Sequence, residues 1–241
     1  MDVSFNIITY APDAEKLQSL LPTLPQNVEV VIVETVHDAA LDGLAERFIT
    51  TEKGRRTIDG RDIVFAEFRY GGEFHFAAAR NAAKLLSTRG WICWVDSDDR
   101  LTPESREVFA ALDELPRGIG GLWGMVFGLN AIEDCPEHET DYYKAKQVRI
   151  FRNMPEVIWE GDTHEQILPS IERQLLQVIF SEFYIYHSGY VTDRQTAYNK
   201  MLRNVMGMCR SVGTGTDVGA FHMGHLPDSI VTLQRLAPKR A

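Results

Sequence analysis

Trp91-Ile92-Cys93-Trp94-Val95 runs directly into Asp96-Ser97-Asp98-Asp99. Five apolar residues of this kind form a buried strand, and their abrupt ending puts three carboxylates at the strand's C-terminal edge. Ligands of open α/β sheets bind at that edge. Three like charges within four residues repel one another. They persist either as a solvated acidic turn ahead of a helix at Thr102-Pro103, or as a site whose charge a hard divalent cation neutralises together with a diphosphate.

The flanking pattern alternates strand and helix. Val3–Thr9 and Glu29–Glu34 read as buried strands. Leu17, Leu20, Leu21 and Leu24 recur between them at helical spacing, in a helix that Pro22 and Pro25 limit to about two turns. Strand, helix, strand in that order predicts a right-handed parallel crossover, which brings Thr9-Tyr10 and Glu34 to one sheet edge. Thr50–Arg61 is polar, basic and glycine-containing, and reads as a mobile loop. A third strand over Asp62–Phe68 precedes Gly71-Gly72 and a helix over Phe76–Leu86, with Phe76, Ala79, Ala83 and Leu86 on its apolar stripe. Arg80 and Asn81 fall off that stripe. The guanidinium faces either solvent or the carboxylate edge. Thr102 and Pro103 then open a helix to about Glu114.

The second half reads as strands over Gly121–Leu129, Lys146–Phe151 and Ile179–His187, with a solvated acidic loop over Glu133–Asp141. Trp159-Glu160-Gly161-Asp162-Thr163-His164-Glu165 concentrates four titratable side chains beside an aromatic residue, as a site or as a surface turn. His187 ends its strand at another edge. A last helix follows Thr192, with Tyr198, Met201, Leu202, Val205 and Met206 on one side and Lys200, Arg203 and Asn204 on the other.

With 241 residues, 44% of them hydrophobic and 24% charged, the chain is predicted to be an ordered α/β protein of one domain: residues 1–115, a second half 116–210 and a tail 211–241. A net charge of −9 argues against a general nucleic-acid or anionic-membrane surface. No apolar run reaches membrane-spanning length, and three widely spaced cysteines match no zinc pattern, so a cytoplasmic protein with free thiols is expected.

Phe76-Ala77-Ala78-Ala79-Arg80-Asn81, Gly90-Trp91-Ile92 and Asp96-Ser97-Asp98-Asp99 together resemble a family 2 glycosyltransferase of GT-A fold, with a Rossmann-like, mainly parallel sheet and helices on both faces. Arg149-Ile150-Phe151-Arg152-Asn153, Gly161–Glu165, His187-Ser188-Gly189-Tyr190 and Lys200…Arg203-Asn204 follow in the order of a bacterial branch that includes tetratricopeptide-repeat fusions. The resemblance covers roughly residues 3–206, and no such repeats occur here. It implies a nucleoside-diphosphate sugar donor, UDP-sugar favoured, and a hydroxyl acceptor, with Mn²⁺ or Mg²⁺ as cofactor and inversion at the anomeric centre. Thr9, Tyr10 and Glu34 would line the base and ribose pocket. Arg80, Asp96 and Ser97 would meet the nucleotide, Asp98 and His187 the metal. Glu165 would be the general base, with Asp162 and His164 as competitors.

Two segments depart from that pattern. Glu34-Thr35-Val36-His37-Asp38 replaces an Asp-rich, Gly-Ser turn, and Thr9-Tyr10-Ala11-Pro12 replaces a Lys-Asn-Glu segment. Both bear on nucleotide choice. The competing classes are a non-catalytic sugar-nucleotide or glycan-binding module on the same fold, and a nucleotidyltransferase. The second lacks a Gly-rich basic phosphate loop near the first strand.

Overall fold

In a computed structural model, the described residues are 1–10, 14–45, 47–132, 142–161 and 165–211, with 227, 229–232, 234 and 237. The Glu133–Asp141 loop, Asp162 and His164 lie outside them.

The chain begins with β1 (Val3–Thr9), α1 (Ala14–Leu20), β2 (Glu29–His37), β3 (Phe48–Ile58), β4 (Arg61–Tyr70), α2 (Phe76–Leu86) and β5 (Trp91–Asp96). It continues through β6 (Asp99–Leu101), α3 (Ser105–Ala110), β7 (Ile119–Ile132), β8 (Tyr142–Arg152), α4 (Leu168–Arg173), β9 (Gln177–Thr192) and α5 (Arg194–Ser211). Both halves contribute to one nine-stranded sheet of order β3-β4-β2-β1-β5-β8-β7-β9-β6. The run β4-β2-β1-β5 is parallel, as the crossover argument requires, and so is β7 with β9. The remaining pairings are antiparallel, so the sheet is mixed. Among the described residues no helix is long and apolar enough to cross a membrane.

Alternation along the strands builds a separate core on each face. Phe5, Ile7, Val30, Ile32, Cys93 and Val95 point to the side covered by α1 and α3, where they meet Leu20, Leu24, Phe109 and Leu112. Val31, Val33, Val64 and Ala66 point to the other side, under Ala79, Ala82 and Ala83 of α2. Further along that second face Ile92, Trp94 and Val148 pack with Trp159, Ile167 and Ile171. Each fully buried side chain of this size is worth about 1.5–3 kcal/mol, so the two layers fix the strand edge that carries the acidic turn.

The segment read as a mobile loop is instead the edge strand β3, paired antiparallel with β4 from Phe48↔Tyr70 to Ile58↔Arg61. Asp59-Gly60 supplies the reason. Both residues have positive φ, 48° and 72°, the two-residue turn whose twist matches a right-handed hairpin. The helix placed after Thr102 is also shorter than its sequence span, ending at Ala110 before a single 3₁₀ turn over Leu112–Glu114.

Candidate active site

The carboxylate edge is assembled by pairing partners distant in sequence. β6 aligns Asp99 opposite His187 of β9, and the Ser188 N–H donates to the Asp98 carbonyl (3.1 Å). Asp99 is fully buried. Its Oδ2 accepts from the Asp96 backbone N–H (2.8 Å) and from Arg149 Nη1 (2.9 Å), and its Oδ1 lies 2.7 Å from His187 Nδ1. Asp98 Oδ1 is 3.3 Å from the same nitrogen.

Arg149 reaches this point because β8 bulges. Leu122 pairs with Ile150 and Trp123 with Val148, so Arg149 is the extra residue, turned toward the carboxylates. Its guanidinium lies 3.6 Å from the Trp94 ring centroid, and the indole N–H of Trp94 donates to the Val148 carbonyl (2.6 Å). A cation and an aromatic face thus bury a charge that desolvation alone would expel.

Arg80, one helical face away from solvent after all, is buried beneath the same indole at 4.1 Å from its centroid. Its Nη2 donates to Asp96 Oδ1 (2.9 Å) and its Nε to Glu165 Oε1. Asn81 beside it clamps the Trp159 backbone, donating to its carbonyl (3.0 Å) and accepting from its N–H (2.9 Å). Glu160 and Gln166 exchange backbone hydrogen bonds, which ties off the loop that carries Glu165. Gly161 in that loop has φ 92°, a conformation side chains disfavour.

Burial by itself would lower the Arg80 pKa, but Glu165 and Asp96 more than offset it, so the group stays a cation at any accessible pH. Burial likewise pushes Asp96 upward, yet Arg80, Arg149 and His187 hold its pKa well below the usual carboxylate range. Asp98 goes the other way. Desolvation raises it, and Asp96 and Asp99 add to the rise while His187 and Lys200 oppose it. For His187 burial favours the neutral ring, but the Asp99 hydrogen bond and the Asp98 and Asp96 charges raise its pKa. Arg149 and Arg80 thus neutralise Asp99 and Asp96, and the Asp98–His187 pair carries the remaining charge of the cluster.

That cluster fits a metal. Single donor atoms from Asp96, Asp98, Asp99 and His187 all lie within 4.8 Å of one another, about the span of two ligands across one ion. Asp99 already uses both oxygens and Asp96 faces Arg80, so Asp98 and His187 are the residues best placed to hold a cation. Carboxylate oxygens with one imidazole suit Mn²⁺ or Mg²⁺.

Thr9, Tyr10 and Glu34 sit apart from this cluster but on the same edge. With Lys53, Phe65 and Glu67 they line a cavity of about 310 Å³ beneath α1. Ile8 of β1 pairs with Asp96, so Thr9 ends its strand level with the acidic turn, while the cavity itself opens on the α1 side of the sheet, the face opposite Arg80. Glu67 is held by Lys53 (3.3 Å) and Arg69 (3.0 Å). Ser97 is buried in the turn itself. Lys200 of α5 also arrives here, its ammonium donating to the Gly189 carbonyl (3.1 Å). The structure therefore brings Arg80, Asp96, Asp98, Glu165 and His187 together. It adds Arg149, Asn81 and Trp159, whose roles depend on the bulge and on contacts spanning up to 78 residues.

No family model matches the sequence, and no curated protein matches it either. Solved structures do. S. aureus TarS 1–349 superposes with a TM-score of 0.50 at 14% identity, covering 95% of this chain and 71% of that one. The same protein in complex with UDP-GlcNAc gives 0.49 at 13%, covering 95% and 72%. The mannosyltransferase PcManGT from Pyrobaculum calidifontis, in complex with GDP-Man and Mn²⁺, gives 0.47 at 14%, covering 98% and 72%. At these identities the likeness speaks for the fold, and the chain has the mixed α/β, GT-A architecture of a glycosyltransferase structure.

Proposed function

We propose that this chain is a metal-dependent, inverting glycosyltransferase of the family 2 kind, moving a sugar from a nucleoside-diphosphate donor to an acceptor hydroxyl. The observation that carries the reading is the convergence of a metal-competent Asp98–His187 pair, a neighbouring cavity lined by Thr9, Tyr10 and Glu34, and a carboxylate, Glu165, held nearby through Arg80.

In this scheme the cavity takes the base and ribose, UDP favoured, and Asp96 with Ser97 takes the donor's ribose and phosphates. Asp98 and His187 would hold Mn²⁺ or Mg²⁺, which when bound supplies Lewis-acid stabilisation of the departing diphosphate. Glu165 is the general base. Arg80 holds its Oε1, which leaves Oε2 to take the acceptor proton. Asp162 and His164 remain competitors for that proton. Attack from the face opposite the diphosphate inverts the anomeric centre.

The Arg80–Glu165 ion pair is also the observation that favours a binding module without catalysis, because a carboxylate oxygen committed to a buried guanidinium is not free to meet an acceptor hydroxyl. A panel of sugar nucleotides with Mn²⁺ separates the two. Donor hydrolysis or transfer, abolished by Glu165→Gln while nucleotide binding survives, supports the enzyme. Donor binding with no turnover supports the module. Neither hydrolysis nor thermal stabilisation by UDP or GDP with metal overturns both.

A further inference from the structure

β3 is an outermost strand of the sheet, paired only with β4 among the described residues, and every residue from Ile49 to Ile58 is exposed. A bare edge of this kind is a template for another strand, and proteins shield it by keeping it short or by lining it with like charges. β3 does neither. It is eleven residues long and carries both signs.

The bulge between Glu52 and Gly54 sets its pattern. Lys53 is the extra residue, and its ammonium turns inward to Glu67 (3.3 Å). Glu52 and Arg55 stand opposite Ala66 and Val64, on the α2 side of the sheet. Ile49, Thr51, Arg56 and Ile58 fall on the α1 side, level with Ile63 and Phe65. Counted outward from Gly54 with Lys53 set aside, the strand is self-complementary. Glu52 balances Arg55 at the first position, Thr51 balances Arg56 at the second, Thr50 balances Thr57 at the third and Ile49 balances Ile58 at the fourth. Both isoleucines are 43% exposed.

We infer that β3 pairs antiparallel with β3 of a second copy, about a two-fold axis that passes through Gly54 perpendicular to the sheet. Residues equidistant from the axis then stand opposite one another on the same face. Glu52 meets the partner's Arg55, Arg55 meets the partner's Glu52, and each Ile49 packs on the partner's Ile58. Of the symmetric registers, only this one opposes the two signs. Glycine on the axis leaves no side chain where the copies approach most closely. The other charges are accommodated. Arg69 pairs with Asp38 (3.2 Å) and Glu67 (3.0 Å), and Arg55 already holds Glu52 (2.9 Å), so the two pairs form a square of alternating sign. Arg56 has no carboxylate partner among the described residues, but the two copies of it stand roughly 14 Å apart along the strands, beyond a Debye length of about 8 Å. Both copies keep α1 on the same side, so the two cavities that Lys53 helps to line flank the joint. The pairing does not depend on what those cavities bind.

Sedimentation velocity of the whole chain in about 0.15 M salt tests it. A dimer that half-dissociates between about 1 and 100 µM is expected, as for a small interface. Glu52→Arg and Arg55→Glu each surround the axis with four like charges and should weaken it at least about ten-fold. An equimolar mixture of the two folded variants restores the alternation and should form a heterodimer as tight as the wild-type dimer. Hydrogen exchange needs no variant: amides between Ile49 and Ile58 should exchange more slowly in the concentrated chain than in the dilute one. Should Arg55→Glu, which meets the buried Glu29, fail to fold, Glu52→Arg and the exchange measurement decide. A monomer throughout that range, a dimer indifferent to Glu52→Arg, folded variants that do not recombine, or β3 exchange independent of concentration overturns the pairing.

Discussion

Asp99→Asn is the substitution whose consequences the structure specifies most fully. The carboxylate is inaccessible and holds three groups: the Asp96 N–H, Arg149 and His187. An amide keeps the shape but removes the charge and turns one acceptor into a donor. Arg149, itself 2% exposed, is then a buried cation whose carboxylate partner has gone. Breaking a buried pair from one side costs about 3–5 kcal/mol. At a urea m-value of about 3 kcal/mol/M the midpoint should fall by roughly 1–1.7 M. Arg149→Met alone should cost less, because Asp99 loses the guanidinium but keeps the Asp96 N–H and His187. The double variant should lose about 2 kcal/mol less than the sum of the two, since each single change already exposes the other's cost. Urea unfolding followed by tryptophan fluorescence reads all four proteins. Additivity within 0.5 kcal/mol, or a loss under about 1 kcal/mol for Asp99→Asn, would refute the claim that this pair anchors the acidic turn.

Other consequences follow from single contacts. Because the His187 pKa is raised above its ordinary value of about 6.5, protons compete with a metal for the ring. Mn²⁺ affinity should therefore fall as pH drops, with a midpoint above 6.5, and His187→Gln should flatten the profile; titration calorimetry between pH 6 and 8.5 measures it. Gly60→Ala should lose about 1 kcal/mol, lowering the melting temperature by about 2–4 °C. The added methyl meets nothing closer than 3.9 Å, so the cost is the positive φ and not a clash. Burial, with Asp99 adding to it and Arg149 opposing it, raises the Cys93 thiol pKa; in a Cys135→Ser/Cys209→Ser background it should resist iodoacetamide until the protein is unfolded, as mass spectrometry would show.

Much of the architecture was legible because it is local. The strand Trp91–Val95 and the helix Phe76–Leu86 follow from an apolar run and 3.6-residue spacing; the helix occupies those bounds and the strand extends one residue further, to Asp96. The β3–β4 hairpin is hidden in the sequence because β3 is exposed along nearly its whole length and so carries polar and basic residues in place of an apolar alternation, although Asp59-Gly60 carries the turn signal. The site divides in the same way. Asp96 to Asp99 announce themselves as a charge cluster. Arg149's place beside Asp99 depends on a bulge in a strand that pairs across the sheet, and the Arg80–Glu165 bond joins residues 85 apart. Sequence spacing cannot encode either, because both are set by strand order.

Asp98 and His187 are proposed to form a metal site on the same sheet edge as a nucleotide pocket. That assignment is tested most directly by calorimetric titration of UDP and GDP into the wild-type chain and into Asp98→Ala, each with Mn²⁺ and with EDTA. Nucleotide binding that requires Mn²⁺ in the wild type and is lost in Asp98→Ala is the predicted result. Binding that is indifferent to metal, unchanged in Asp98→Ala, or absent throughout would contradict the account.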